Sequence, residues 1–462
     1  MYLLPTLFFW QACAPNPSNP VLPEIRTCEG CHTNAALLQS LDQSRSVPAA
    51  GYSGDQVSVQ VESWWPEVYI DLEGNSSFRD LDPAHGDIGC RDCHGGVEPG
   101  DATAAHDTSQ GFLRDPSTDP EAHCTPCHET KVAAYLNSFH FQTWGIQTAL
   151  AQRQLGADKT HENFAECPAP LTDGYDRECS TCHATCGQCH LSRPTVAGGG
   201  LLNSHRFDRP DPENTCQVCH EERITRELTG ALDGNEADVH HQQGMDCLDC
   251  HTEDFHADAS SANSFYAWAG LPQCVDCHTD ADSANVYHET HWPDGSSYPR
   301  SLDCQVCHAQ PYTSCSGCHA SGEWVTDPAY SVVDTTLKIG LNPDPGQRPM
   351  VKWTLLRHIP VTPETFAPWG LSTLDQFDSR PTWNHTSPHT IRRWTARTDT
   401  TGGGACSDRC HYHANFSFAD PVNRDLYLTR TFLQENYGAE ETANDSVVVE
   451  NAICGATCHE SF

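Results

Sequence analysis

Apolar residues along this chain fall in short clusters, not in long periodic runs. Tyr2 to Ala12 is mostly apolar, and no later segment approaches the roughly 20 apolar residues that a membrane span requires. Val57, Val59 and Val61 alternate with polar neighbours, which predicts a short strand. Apolar positions recur from Lys131 to Asn137, which predicts a helix there. The 32 Gly and 31 Pro punctuate the rest into loops. The fold class this predicts is mostly irregular, with short α-helices and little β. At 37 % hydrophobic residues, a chain of 462 is too polar for a conventional apolar core, so something other than side chains is expected to fill the interior.

The 26 Cys and 27 His suggest what that filling is. Ten cysteine pairs are spaced C-x-x-C, each followed at once by His: Cys28, Cys31 and His32; Cys90, Cys93 and His94; Cys124, Cys127 and His128; Cys179, Cys182 and His183; Cys186, Cys189 and His190; Cys216, Cys219 and His220; Cys247, Cys250 and His251; Cys274, Cys277 and His278; Cys304, Cys307 and His308; Cys315, Cys318 and His319. This is the attachment signature of c-type haem. The two thiols add across porphyrin vinyl groups as thioethers, and the next imidazole becomes the proximal ligand of the iron. A disulfide framework has no use for a His after every second Cys. A zinc finger needs its other ligands at a separate spacing. Two further pairs carry one extra residue: Cys406, Cys410 and His411, and Cys454, Cys458 and His459. Spacing alone leaves these two open to a local disulfide or iron–sulfur ligation.

Fifteen histidines remain as distal candidates: His85, His106, His123, His140, His161, His205, His240, His241, His256, His288, His291, His358, His385, His389 and His413. Methionine, the usual alternative, occurs three times, and Met1 is the initiator. Because Met/His ligation raises haem potential, this scarcity predicts mostly bis-His, low-potential irons. His240 and His241 are neighbours, so one of them at most is expected on a given iron. The favoured candidates are His85, His123, His140, His205, His288, His291 and His358. Gly198 to Gly200, shortly before His205, fit a backbone passing close to a porphyrin face.

Five segments follow. Residues 1–12 look like a bacterial lipoprotein export signal with Cys13 as the acylated residue, although no Lys or Arg precedes the apolar run and Trp10 stands where Leu is usual. Residues 13–27 are a Pro/Asn-rich tether, and 28–319 a body carrying ten motifs. Residues 320–405 are rich in Trp and Pro and lack a motif. They are read as a strap donating His358, His385 or His389, or as a small independent subdomain. Residues 406–462 hold the two long-spaced motifs. Cys167 is left over and is read as a buried or free thiol.

Between His183 and Cys186 lie two residues, Ala184 and Thr185, so two haems there must be close neighbours. Closely spaced irons form a conducting path. The motif count, the supply of spare histidines, the lipoprotein-like start and the tandem sites make the chain similar to bacterial multihaem c-type cytochromes of the periplasm and cell surface. The resemblance implies an architecture organised by a closely packed haem stack, and haem at the two long-spaced motifs as well. That gives about twelve haem c groups, with ten the floor. It also implies an exported, periplasmic or cell-surface protein with a lipid anchor as its sole membrane contact, acting in respiratory or extracellular electron transfer. The formal net charge of −36 excludes nucleic acid and would steer basic redox partners or an extracellular acceptor. The rival class is a multihaem reductase of nitrite, hydroxylamine or a sulfur oxyanion with one five-coordinate iron. A third is a subunit of a cytochrome filament or of an outer-membrane porin complex.

Overall fold

The computed structural model describes residues 27–41, 45–48, 58–61, 65–97, 102–180, 184–194, 199–220, 224–232, 234–252, 255–260, 262, 268, 270–279, 286–291, 300–310, 313–314, 335–344, 351–359, 361–395, 397–398, 426–436 and 442–449. Cys13, Cys182, His183, Cys315, Cys318, His319, Cys406, Cys410, His411, His413, Cys454, Cys458 and His459 lie outside them, as does the side chain of His291. The chain divides into two compact units.

The first unit comprises Met1–Phe141, Cys182–Cys219 and His256–Asp258. Its helices are one to three turns long: Cys28–His32, Ala35–Leu41, Phe78–Leu81, Cys90–His94, Ala102–Ala105, Pro120–His123, Thr125–Tyr135 and Cys186–His190. Side-chain caps fix where they begin. Thr27, Ser77 and Asp119 each accept a backbone N–H of the first turn. Strands β1 (Arg45–Pro48) and β2 (Ser58–Val61) pair antiparallel, with Val47 opposite Val59. β2 realises the valine alternation, although Val57 itself is outside the described residues. The helix expected around Lys131 begins earlier, at Thr125 inside a motif, and ends at Tyr135 with a kink at His128. Buried apolar residues here, such as Leu38, Leu81, Val132 and Tyr135, belong to none of the three buried apolar clusters found among the described residues.

The second unit comprises Gln142–Thr181, His220–Phe255 and Ala259–Phe462. Its sheet centres on β7 (Val351–His358). Strands β3 (Arg300–Leu302), β6 (Lys338–Leu341) and β8 (Trp383–His385) all pair with β7, β3 in parallel and the other two antiparallel. β4 (Thr313–Ser314) and β5 (Thr335–Thr336) form a separate two-stranded ladder. Successive strand residues point to opposite faces. Leu355 therefore joins a cluster with Val306, Leu337 and Ile339, while Leu356 joins Trp383, Leu428 and Val447 on the other side. A third cluster gathers Leu150, Phe164, Leu171 and Tyr175 with Leu371, Leu374 and Phe377. Gly174 is required there, because a Cβ would lie 2.2 Å from the Trp369 ring.

Conventional apolar cores thus exist in this unit, against the expectation from composition. A whole-chain average conceals segregation: apolar side chains concentrate in the second unit, while the first is left without an apolar cluster among its described residues.

Arg153 fastens the helix Trp144–Leu155 to the segment after Phe377. It is 4 % exposed, and its guanidinium donates to the carbonyls of Phe377 (3.1 Å), Arg380 (2.8 Å) and Pro381 (2.7 Å). Arg153→Met strands three carbonyls, and the expected loss is about 3 kcal/mol of unfolding free energy in denaturant titrations followed by circular dichroism. A change below about 0.5 kcal/mol, the size usual for surface substitutions, would contradict this role.

Candidate haem sites

Each described motif is essentially one helical turn, and the turn explains the spacing. In a helix, positions i, i+3 and i+4 share a face, so both sulfurs and the following imidazole are offered together. The turn is too short to be stable alone. It is held by residues between and before the cysteines. Asp92, Asp249 and Asp276, each just before a second Cys, accept the N–H of Gly89 (3.0 Å), Asp246 (2.8 Å) and Gln273 (2.7 Å). Gln188 does the same for Thr185 (3.3 Å). Asp303 accepts Gln305 N–H ahead of the helix Cys304–His308, and burial pushes its carboxyl up to about 6.

Four motif imidazoles are oriented by their Nδ1 atoms. His32 reaches the Val68 carbonyl at 2.9 Å, His94 that of Leu113 at 2.9 Å, His190 that of Asp208 at 2.7 Å and His308 that of Arg392 at 3.1 Å. A carbonyl cannot donate, so Nδ1 carries the proton and Nε2 keeps its lone pair for a metal. Gly95, with φ +62°, makes the turn after His94 possible, since a Cβ there would meet the Gly111 carbonyl at 2.2 Å. Burial, foremost, pulls the pKa of His32, His94, His251 and His308 below the ordinary imidazole value. The neutral form that a metal needs is thereby favoured.

Six motif histidines face a spare histidine. Ring centres are 6.0 Å apart for His32 and His106, 6.2 Å for His128 and His85, and 5.9 Å for His94 and His205. They are 5.9 Å apart for His190 and His256, 6.1 Å for His278 and His240, and 6.0 Å for His308 and His288. Two imidazoles bound at about 2.0 Å on opposite sides of one metal would have ring centres about 6 Å apart. The residues present therefore fit a six-coordinate iron. His205 is delivered by three consecutive left-handed residues, Asn203 (φ 50°), Ser204 (58°) and His205 itself (68°). Such backbone costs about 1–3 kcal/mol per residue and clusters at functional sites. Burial, and then His94, pull the His205 imidazole down to about 4.

The sites within each unit are neighbours. In the first, Phe112 lies 6.4 Å from His94 and 5.0 Å from His106, and Phe207 lies 4.4 Å from His85 and 6.3 Å from His205. These two rings join three histidine pairs in a row. Cys124 and Cys186 influence each other's thiols, which places their two motifs side by side. Burial first, then Cys216 and Cys219, push the Cys189 thiol up to about 11. In the second unit, burial and then Cys277 push up Cys250, and His308 is influenced by His288 and His278.

The other candidates are placed differently. His161 stacks on Trp144 at 4.7 Å. His358 is buried against Trp383 in the sheet. His385 is engaged on both nitrogens, by Thr354 Oγ1 (2.5 Å) and Ser387 Oγ (3.2 Å). His389 N–H donates to the buried Glu227. His123 ends the helix before Cys124, His140 is exposed, and His241 follows His240 in its helix. Gly200 packs toward the Glu67 side chain, so the close approach there is to the chain itself. Cys167 is buried in an apolar cluster, and burial pushes its thiol up to about 11. Sequence reasoning missed the bridging Phe112 and Phe207. It also missed the carboxylates Asp82 and Asp238, whose signals were D-x-x-H and D-x-H.

No curated protein and no solved structure matches this chain. Residues 239–320 match the family described as Cytochrome c3. That segment holds the motifs beginning at Cys247, Cys274, Cys304 and Cys315. The match supports a multihaem c-type cytochrome that carries haem c and works in electron transport.

Proposed function

We propose that the chain carries electrons by hopping along about twelve haem c groups, most of them bis-His, in respiratory or extracellular electron transfer. The observation that carries this reading is the set of six motif–spare histidine pairs whose ring centres lie 5.9 to 6.2 Å apart. Each pair of histidines would hold an iron from both sides, so the bound group would supply electron transfer without ligand exchange, and the chain would leave no position for substrate. His32, His94, His128, His190, His278 and His308 are the proximal set. His106, His205, His85, His256, His240 and His288 are their partners. The bound group supplies the redox couple, and the chain supplies orientation, burial and spacing.

The remaining parts of the proposal rest on sequence. Cys13 is the anchoring residue of an exported, periplasmic or cell-surface protein. The charge of −36 favours a basic partner cytochrome or a cationic acceptor, with encounter rates that fall as salt rises. A porin complex or self-assembly is compatible with the same chemistry.

Intact-mass analysis of the exported protein should show about twelve haem additions, with ten the lowest acceptable number. A mass corresponding to an unmodified chain would overturn the proposal. In holoprotein, His205→Ala should open one coordination position and produce a high-spin electron paramagnetic resonance signal equal to one iron. An unchanged, wholly low-spin spectrum would show that His205 is no ligand.

A further inference from the structure

Two of the distal histidines, His85 and His240, have a buried carboxylate as a second partner. Asp82 is 5 % exposed, and its Oδ2 lies 3.2 Å from His85 Nδ1 and accepts the backbone N–H of Phe207 at 3.2 Å. Its Oδ1 accepts the N–H groups of Ala84 and His85, both at 3.2 Å. Asp238, in the other unit, is 2 % exposed. Its Oδ1 lies 2.9 Å from His240 Nδ1 and accepts His240 N–H at 2.8 Å, while its Oδ2 accepts the N–H of Ile391 at 2.7 Å. The same device is built twice: a buried carboxylate grips a distal imidazole and is pinned by a backbone N–H of a distant segment, Phe207 for Asp82 and Ile391 for Asp238. His205 is the opposite case. Its Nδ1 is buried with no hydrogen-bond partner among the described residues.

The chemistry of that contact is directional. A carboxylate that accepts Nδ1–H pulls its proton away from the ring, which makes Nε2 a stronger electron donor. A stronger axial donor stabilises ferric over ferrous iron, and a hydrogen bond to the ligating imidazole is an established lever on haem potential. Burial strengthens the effect, because the carboxylate charge is poorly screened. The backbone N–H groups of Phe207, Ala84 and His85 that Asp82 accepts favour the charged form of its carboxylate.

Taking the haem reading above as given, we propose that Asp82 and Asp238 are potential-setting residues, holding the irons of the His85/His128 and His240/His278 pairs lower in potential than the iron of His94/His205. The consequence within the first unit is a built-in direction. Phe207 touches both His85 and His205, so the low-potential site adjoins a higher one, and electrons run from the His85/His128 iron toward His94/His205.

The test is a potentiometric titration of the holoproteins Asp82→Asn and Asp238→Asn, with near-infrared magnetic circular dichroism to report axial-ligand donor strength. Each variant should keep its full haem mass. In each, one iron should become about tenfold easier to reduce, which for one electron is ~59 mV. Asp80→Asn is the control for loss of one charge, since Asp80 is exposed and bonded to Ser76 and Ser77. Unchanged midpoints in both haem-replete variants, or an equal shift in the control, would overturn the proposal. If one variant loses its haem, the other decides. Loss of haem from both would contradict it by making the carboxylates structural. A colourless parent protein would instead sink the haem reading itself.

Discussion

The structure depends on a hydrogen bond at the far side of one imidazole in each of the six histidine pairs. Four motif histidines donate Nδ1–H to backbone carbonyls, and two spare histidines donate to carboxylates. That choice fixes the tautomer, leaves Nε2 bare and turns the ring to face its partner. Without it, a His after C-x-x-C would be one rotamer among several. With it, the paired rings sit at the spacing that a single iron would demand. The acceptors come from remote segments, since Leu113, Asp208 and Arg392 lie 19, 18 and 84 residues from the rings they hold. Long-range folding and site geometry are thus the same event.

The two units solve the problem of a polar chain differently. The second gathers its apolar side chains around a small sheet and a helical cluster, and is expected to owe part of its stability to ordinary burial. The first has no such cluster among its described residues, so its loops need another apolar filling to offset their ordering entropy. Porphyrin rings would supply it. Short helices such as those capped by Thr27, Ser77 and Asp119 are local rests in a chain whose packing partners would be cofactors.

The motif turns were legible in the sequence, because a C-x-x-C-H run forms the same single helical turn at Cys28–His32, Cys90–His94, Cys186–His190 and Cys304–His308. A motif that must fit one helical turn reads the same wherever it occurs. The apolar cores of the second unit were not legible, since Leu355 and Leu356 acquire opposite roles through sheet register, which composition does not encode. Histidine partnership was hidden for a related reason. His106, His240 and His256 pair with motif residues 74, 38 and 66 positions away, and no local pattern carries that information. The helix from Thr125 illustrates the boundary case: its apolar positions announced its presence, while its start was set by the motif upstream.

Iron anomalous scattering from crystals of the holoprotein tests the central claim most directly. The account predicts one iron peak midway between the rings of each of the six histidine pairs. Iron peaks lying elsewhere, or pairs with no iron between them, would contradict it.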